Sequence, residues 1–161
     1  MTDNDDVISV LNNLIETCKD GQTGFQTAAE GVKRSDLKTL FGQYSQQRAK
    51  FAGELQNEVL RLGGDPTQTG SVAATLHRGW INIKSAVTGE DENAVIAECE
   101  RGEDSAVANY KDALADGNLP ADIRSIVERQ SAQIKEAHDR IRNLERATET
   151  GGGRGTNTAK A

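Results

Sequence analysis

The sequence predicts an all-helical domain built on four long helices, with a short fifth helix in the connection between the second and third. Three observations predict it. Mostly apolar and small residues recur at spacings of four and three over four separate stretches, the seam pattern of helices packed side by side. Only 2 prolines occur in 161 residues, so long segments are free of the residue that breaks helices. Aromatic residues make up 4% and hydrophobic residues 35%, so the core must be assembled mainly from Leu, Ile, Val and Ala. A chain of this length is one domain, able to bury a core without staples.

The first helix is expected over about 5–32. Its seam is Val7, Leu11, Leu14, Cys18, Gly21, Phe25, Ala28 and Val32, and Asp3 to Asp6 supply caps and negative charge at the positive end of the helix dipole. Ser35 caps a second helix over about 36–62, with Leu37, Phe41, Tyr44, Arg48, Phe51, Leu55, Val59 and Leu62 along one stripe. So short a connection makes these two helices antiparallel neighbours. Gly63-Gly64-Asp65-Pro66 ends the second helix.

After a linker over 63–70, a short helix is expected over about 71–87, with Val72, Leu76, Trp80, Ile83 and Val87 on one face. A third long helix follows over about 90–115, on a stripe of Ile96, Cys99, Glu103, Ala106, Tyr110 and Ala113. Asp116 to Pro120 forms a turn with proline at the first helical position. The last long helix is expected over about 120–147 and carries Ile123, Val127, Gln130, Ile134, Ala137, Ile141 and Leu144. Residues 148–161, rich in glycine, have nothing to bury and read as a disordered tail. A helix of about 25 residues is roughly 38 Å long. If the third helix runs parallel to the second, residues 63–90 must travel the whole bundle with the short helix along its outside, the crossover topology of ferritin-like folds. A simple up-and-down arrangement of five helices is the alternative.

The net charge of −6 argues against a general nucleic-acid binder, which needs a basic face, and against docking on anionic lipid. No apolar run approaches the ~20 residues of a membrane span. The acidic N-terminus is the opposite of a secretory leader, so a cytoplasmic location is expected. Cys18 and Cys99 both sit on apolar stripes and read as buried free thiols. With His77 and His138 they show none of the spacing of a structural zinc site. No Ser/His/Asp or Cys/His arrangement supports a nucleophilic enzyme.

Five segments carry a resemblance: Leu14 to Gly21, Ser45 to Phe51, Leu76 to Lys84, Glu98 to Asp104 and Ala137 to Ile141. In these the chain resembles a proteobacterial family of ferritin-like four-helix-bundle proteins that carries only a domain-of-unknown-function label. The resemblance spans nearly everything but the tail and implies a ferritin-like four-helix bundle. Di-iron members of the ferritin-like class place a Glu on each of two helices and Glu-x-x-His on the other two. Here the second helix has Ser45-Gln46-Gln47-Arg48 and the last has Lys135-Glu136-Ala137-His138, and Glu-x-x-His occurs nowhere. A cation at such a position repels a metal, so the standard di-iron site is absent from the sequence.

What replaces it is a candidate polar layer. Arg48 and Glu103 interrupt their stripes near mid-helix, Gln130 interrupts the fourth, and Gly21 opens space in the first. A buried Arg48–Glu103 ion pair is expected, with Gln130 and Asp20 or Glu16 satisfying the remaining hydrogen-bonding groups. The alternative is a small helix rotation that sends Arg48 outward along the surface. His138 reads as a boundary residue bonded to a nearby carboxylate. Trp80 reads as the anchor of the short helix, or, with His77 and Arg78, as a partner surface.

The function expected is that of a non-enzymatic bundle, structural, stress-associated or partner-binding, with no cofactor. Its partner is itself, as a homo-oligomer, or another protein. The alternative is a carboxylate-rich iron protein with a non-standard ligand set drawn from Glu16, Asp20, Glu54, Glu98, Glu103 and His138.

Overall fold

The computed structural model describes residues 2–66 and 77–160, with side chains over 4–66 and 79–147. Every regular element among them is helical: α1 (Thr2–Gly31), α2 (Ser35–Arg61), a 3-10 turn (His77–Trp80), α3 (Ile83–Thr88), α4 (Glu92–Ala115) and α5 (Ala121–Lys160). Among the described residues no helix is long and apolar enough to cross a membrane.

The ends of the helices follow local chemistry. Gly63, at φ +83°, closes α2: its N–H donates to the Leu60 carbonyl, and that of Gly64 donates to Val59. This paired closure needs a left-handed residue, which glycine supplies without a Cβ clash. The Asp91 carboxylate accepts from the Ala94 amide and starts α4. Arg124 donates to the Leu114 and Asp116 carbonyls, so the start of α5 caps the end of α4.

The direction of each helix follows from which residues meet. The Glu92 carboxylate accepts from the backbone amides of Lys33 and Arg34, at 2.6 and 3.1 Å. The start of α4 therefore lies beside the α1–α2 turn. Further along, Asn109 donates to Thr17, and Tyr110 meets Cys18. Thus α4 runs antiparallel to α1 and parallel to α2, and the chain between Leu62 and Asp91 has to traverse the bundle. Its described part lies over the seam of α1 and α4. α1 packs on α2 and α4, and α5 packs on α4 and, sparsely, on α2.

The traversing segment differs from expectation. Residues 67–76 of the short helix expected over 71–87 lie outside the described residues. Beyond them the chain is a 3-10 turn, then Ile81 and Asn82, then α3 from Ile83. The interruption has a packing cause. Gly79 comes so close to α4 that a Cβ on it would stand 3.1 Å from the Gly102 Cα. Trp80 is 9% exposed and fills a slot between α1 and α4, where a Cβ on Gly24 or Gly102 would overlap its indole. The Glu98 carboxylate then accepts from the Asn82 amide at 2.9 Å. A continuous helix could not meet all three demands. Trp80 is thus a buried anchor of this segment; the side chains of His77 and Arg78, named with it as a partner surface, lie outside the described ones.

At its other end the chain also departs from expectation. The backbone of α5 continues through the glycine-rich stretch to Lys160 rather than stopping near Ala147. Glycine opposes this by about 1 kcal/mol per residue, but extending a helix that is already nucleated carries no new nucleation cost.

The buried apolar residues form two clusters. One gathers Val7 to Cys18, Phe51 to Val59, Ala106 to Ala113 and Ile123 to Ile134 from the four long helices. The other gathers Phe25, Leu37, Phe41, Trp80, Val95 and Ile141 at the end where α1 meets α2. Between them, at mid-height, lies a charged layer.

Candidate functional site

Arg48 and Glu103 meet in that layer because α2 and α4 run parallel. Each residue sits about as far from the start of its own helix as the other, 13 residues after Ser35 and 11 after Glu92. The two are 1% and 0% exposed. The contact is two-pronged: Nη1 to Oε1 at 2.5 Å and Nη2 to Oε2 at 2.6 Å. That fork geometry matches guanidinium to carboxylate. The third donor, Nε, bonds the Gln47 side-chain oxygen at 3.1 Å. The guanidinium carbon lies 5.3 Å from the Phe25 ring centroid, within range of a cation–π attraction.

Gly21 makes the space. A Cβ there would stand 3.2 Å from the Arg48 Cγ and 3.4 Å from Nη1, so even alanine crowds the side chain. Burial works against the charge on Arg48, but the field of Glu103 and its hydrogen bonds outweigh it and hold the guanidinium above its ordinary pKa. Desolvating two ions costs several kcal/mol each. The complete pairing of both carboxylate oxygens and all three guanidinium nitrogens is what makes this burial tolerable.

Gln130, expected beside the ion pair, lies elsewhere. Gln130 is fully buried but serves a second network. Its side-chain oxygen accepts from the Tyr110 hydroxyl at 2.7 Å, and its nitrogen donates to Glu54 at 2.9 Å and, more weakly, to the Phe51 carbonyl at 3.4 Å. The Tyr110 oxygen lies 3.1 Å from the Cys18 sulfur. With the Tyr110 proton given to Gln130, Cys18 is the donor in that contact. Glu54 closes the chain by accepting from Arg129 at 2.8 Å. The reason for the difference is the helical turn: Gln130 lies on the Phe51 level of α2, one turn away from Arg48. Asp20, also expected beside the ion pair, is buried and lines a cleft with Trp80, Ile81 and Lys84.

The two thiols are chemically quiet. Burial pushes Cys18 up to about 11, only partly offset by its bond to Tyr110, and pushes Cys99 well above its ordinary range. At pH 8 neither thiol is expected to react with an aromatic disulfide reagent in the native protein, whereas the denatured chain should yield two equivalents. Fast native labelling of Cys18 would contradict this burial.

The candidate iron ligands are not brought together. Glu103 is bonded to Arg48, Glu54 to Arg129 and Gln130, Glu98 to the Asn82 amide, and His138 to Asp104 and Asp139, while Glu16 is half-buried on α1. Among the described residues no three His, Cys, Asp or Glu side chains converge as a metal site would require.

Two features lay beyond sequence reasoning. One is the glycine slot for Trp80; its only signal was two mid-helix glycines, Gly24 and Gly102, in helices where each carries a propensity penalty. The other is an open groove of about 520 Å³ between α2 and α5, lined by Tyr44, Gln47, Gln133, Glu136 and Arg140 among others.

Compared with known proteins, residues 6–116 match the model of a family described as Domain of unknown function (DUF2383). No curated protein matches the chain.

Proposed function

The chain belongs to the DUF2383 family, and we propose that it is a non-enzymatic helical bundle of the ferritin-like class, a structural, stress-associated or partner-binding protein whose centre holds an ion pair where di-iron relatives hold metal. The observation that carries this reading is the Arg48–Glu103 pair, buried at mid-height between the two apolar clusters. A fixed guanidinium there opposes the approach of a second cation, and it uses up the carboxylate best placed to be a ligand. The parallel course of α2 and α4, with the connection crossing the bundle length, supports the ferritin-like affiliation.

Ferrous iron supplied anaerobically during refolding or to the native protein, followed by gel filtration, tests the reading. Less than a tenth of an equivalent of iron is expected to remain bound. Retention of one or two equivalents that raise the melting temperature would overturn it and return the carboxylate-rich metal reading.

A further inference from the structure

Three polar ties of α5 to α2 lie in its first ten residues: Asp122 to Arg61, Arg129 to Glu54 and Gln130 to Glu54. Above Gln130 a groove lies between the two helices, with Tyr44 and Gln47 on its α2 wall and Gln133, Glu136 and Arg140 on its α5 wall. Over that stretch α5 is tied to α4 through His138 to Asp104 and Arg142 to Glu100.

His138 is held in an unusual way. Its Nε2 lies 2.5 Å from an Asp104 oxygen on α4, and its Nδ1 lies 3.1 Å from an Asp139 oxygen on its own helix. A neutral imidazole has a single N–H and can donate to only one carboxylate, leaving a lone pair facing the other. An imidazolium donates to both. The arrangement is therefore complete only when the ring carries its second proton.

We propose that His138 is a proton-operated clasp, which as an imidazolium ties the second half of α5 to α4 and, on losing its proton, loosens that half and widens the groove with α2. The groups facing the ring are Asp104 and Glu100 from α4, and Asp139 and Arg142 from α5; Lys135 acts on Asp139, and Glu145 is bonded to Glu100. Burial disfavours the charged ring, but the hydrogen bonds of Asp139 and Asp104 and the charge of Asp104 outweigh burial and the opposing Arg142. The ring therefore titrates above its ordinary 6.5. With the folded value above the unfolded one, the clasp is fully closed below about pH 6.5 and is lost as pH rises through the folded value.

Nitrogen-detected NMR of the imidazoles across pH 5–9 reads the titration, with His77→Gln used to assign His138, since the chain has 2 histidines. Amide hydrogen exchange over residues 131–147, corrected for the intrinsic effect of pH, reads the clasp. The midpoint is expected above 6.5 in the native protein and lower in Asp104→Asn, whose side chain is mostly exposed and whose loss should leave folding intact. Protection over 131–147 should fall across the native midpoint, and Asp104→Asn should show the loosened state at every pH. A midpoint at or below 6.5 overturns the proposal, and so does a raised midpoint without any change in protection.

Discussion

Replacing Arg48 with methionine should lower stability by about 3–5 kcal/mol, the range observed when one partner of a buried pair is removed. For a chain of this size that is roughly 6–20 °C in melting temperature. Methionine refills most of the arginine's volume, so the loss reports the stranded Glu103 carboxylate rather than a cavity. Both its oxygens lose their partners in a layer closed above and below by apolar side chains. The double variant Arg48→Met/Glu103→Leu is expected to recover most of the loss and to equal or exceed the native protein, because well-packed apolar replacements of buried ion pairs are often neutral or stabilising. Thermal unfolding of the two single variants and the double variant gives the coupling directly. If Arg48→Met proved nearly neutral, the pair would have to be solvated.

The second large effect is expected at Gly102. Alanine ordinarily strengthens a helix interior by about 1 kcal/mol over glycine. Here its methyl would occupy the space of the Trp80 indole, which α1 blocks from the other side at Gly24. The indole cannot retreat between two helix backbones, so it must leave the slot or the helices must separate. Gly102→Ala is therefore expected to destabilise by about 3 kcal/mol or more, close to the cost of truncating a buried tryptophan. Trp80 is the chain's only tryptophan, so its fluorescence reads the outcome without ambiguity. Emission should shift to the red and become accessible to iodide in Gly102→Ala, and likewise in Gly24→Ala. A stable variant with blue-shifted, protected emission would mean that the slot is wider than the structure has it.

These two residues also mark the boundary of what one-dimensional reasoning reaches. Arg48 and Glu103 were legible because each stands where an apolar residue should recur, and a break in a periodic stripe is visible without knowing what lies opposite. The glycine slot was not legible, because a mid-helix glycine signals only that something comes close. Gln130 shows the same limit from the other side. Its place on a stripe predicted burial, and it is buried, but its partner is Tyr110 rather than Arg48 because the vertical offset between helices decides which layer a side chain joins.

The sequence by itself determined the four long helices, their seams and the glycine turn that closes α2, since periodicity and turn residues act within a few positions along the chain. It also marked where charges interrupt the core stripes, but left open whether Arg48 would be buried or turned outward along the surface. Only the tertiary structure decided that α2 and α4 run parallel, and so which charges meet. It alone decided that Trp80 is a wedge rather than a surface residue and that His138 lies between two carboxylates. Those outcomes depend on separations of a few ångströms between segments far apart in sequence, set by how whole helices shift and rotate to pack, and no local spacing encodes them.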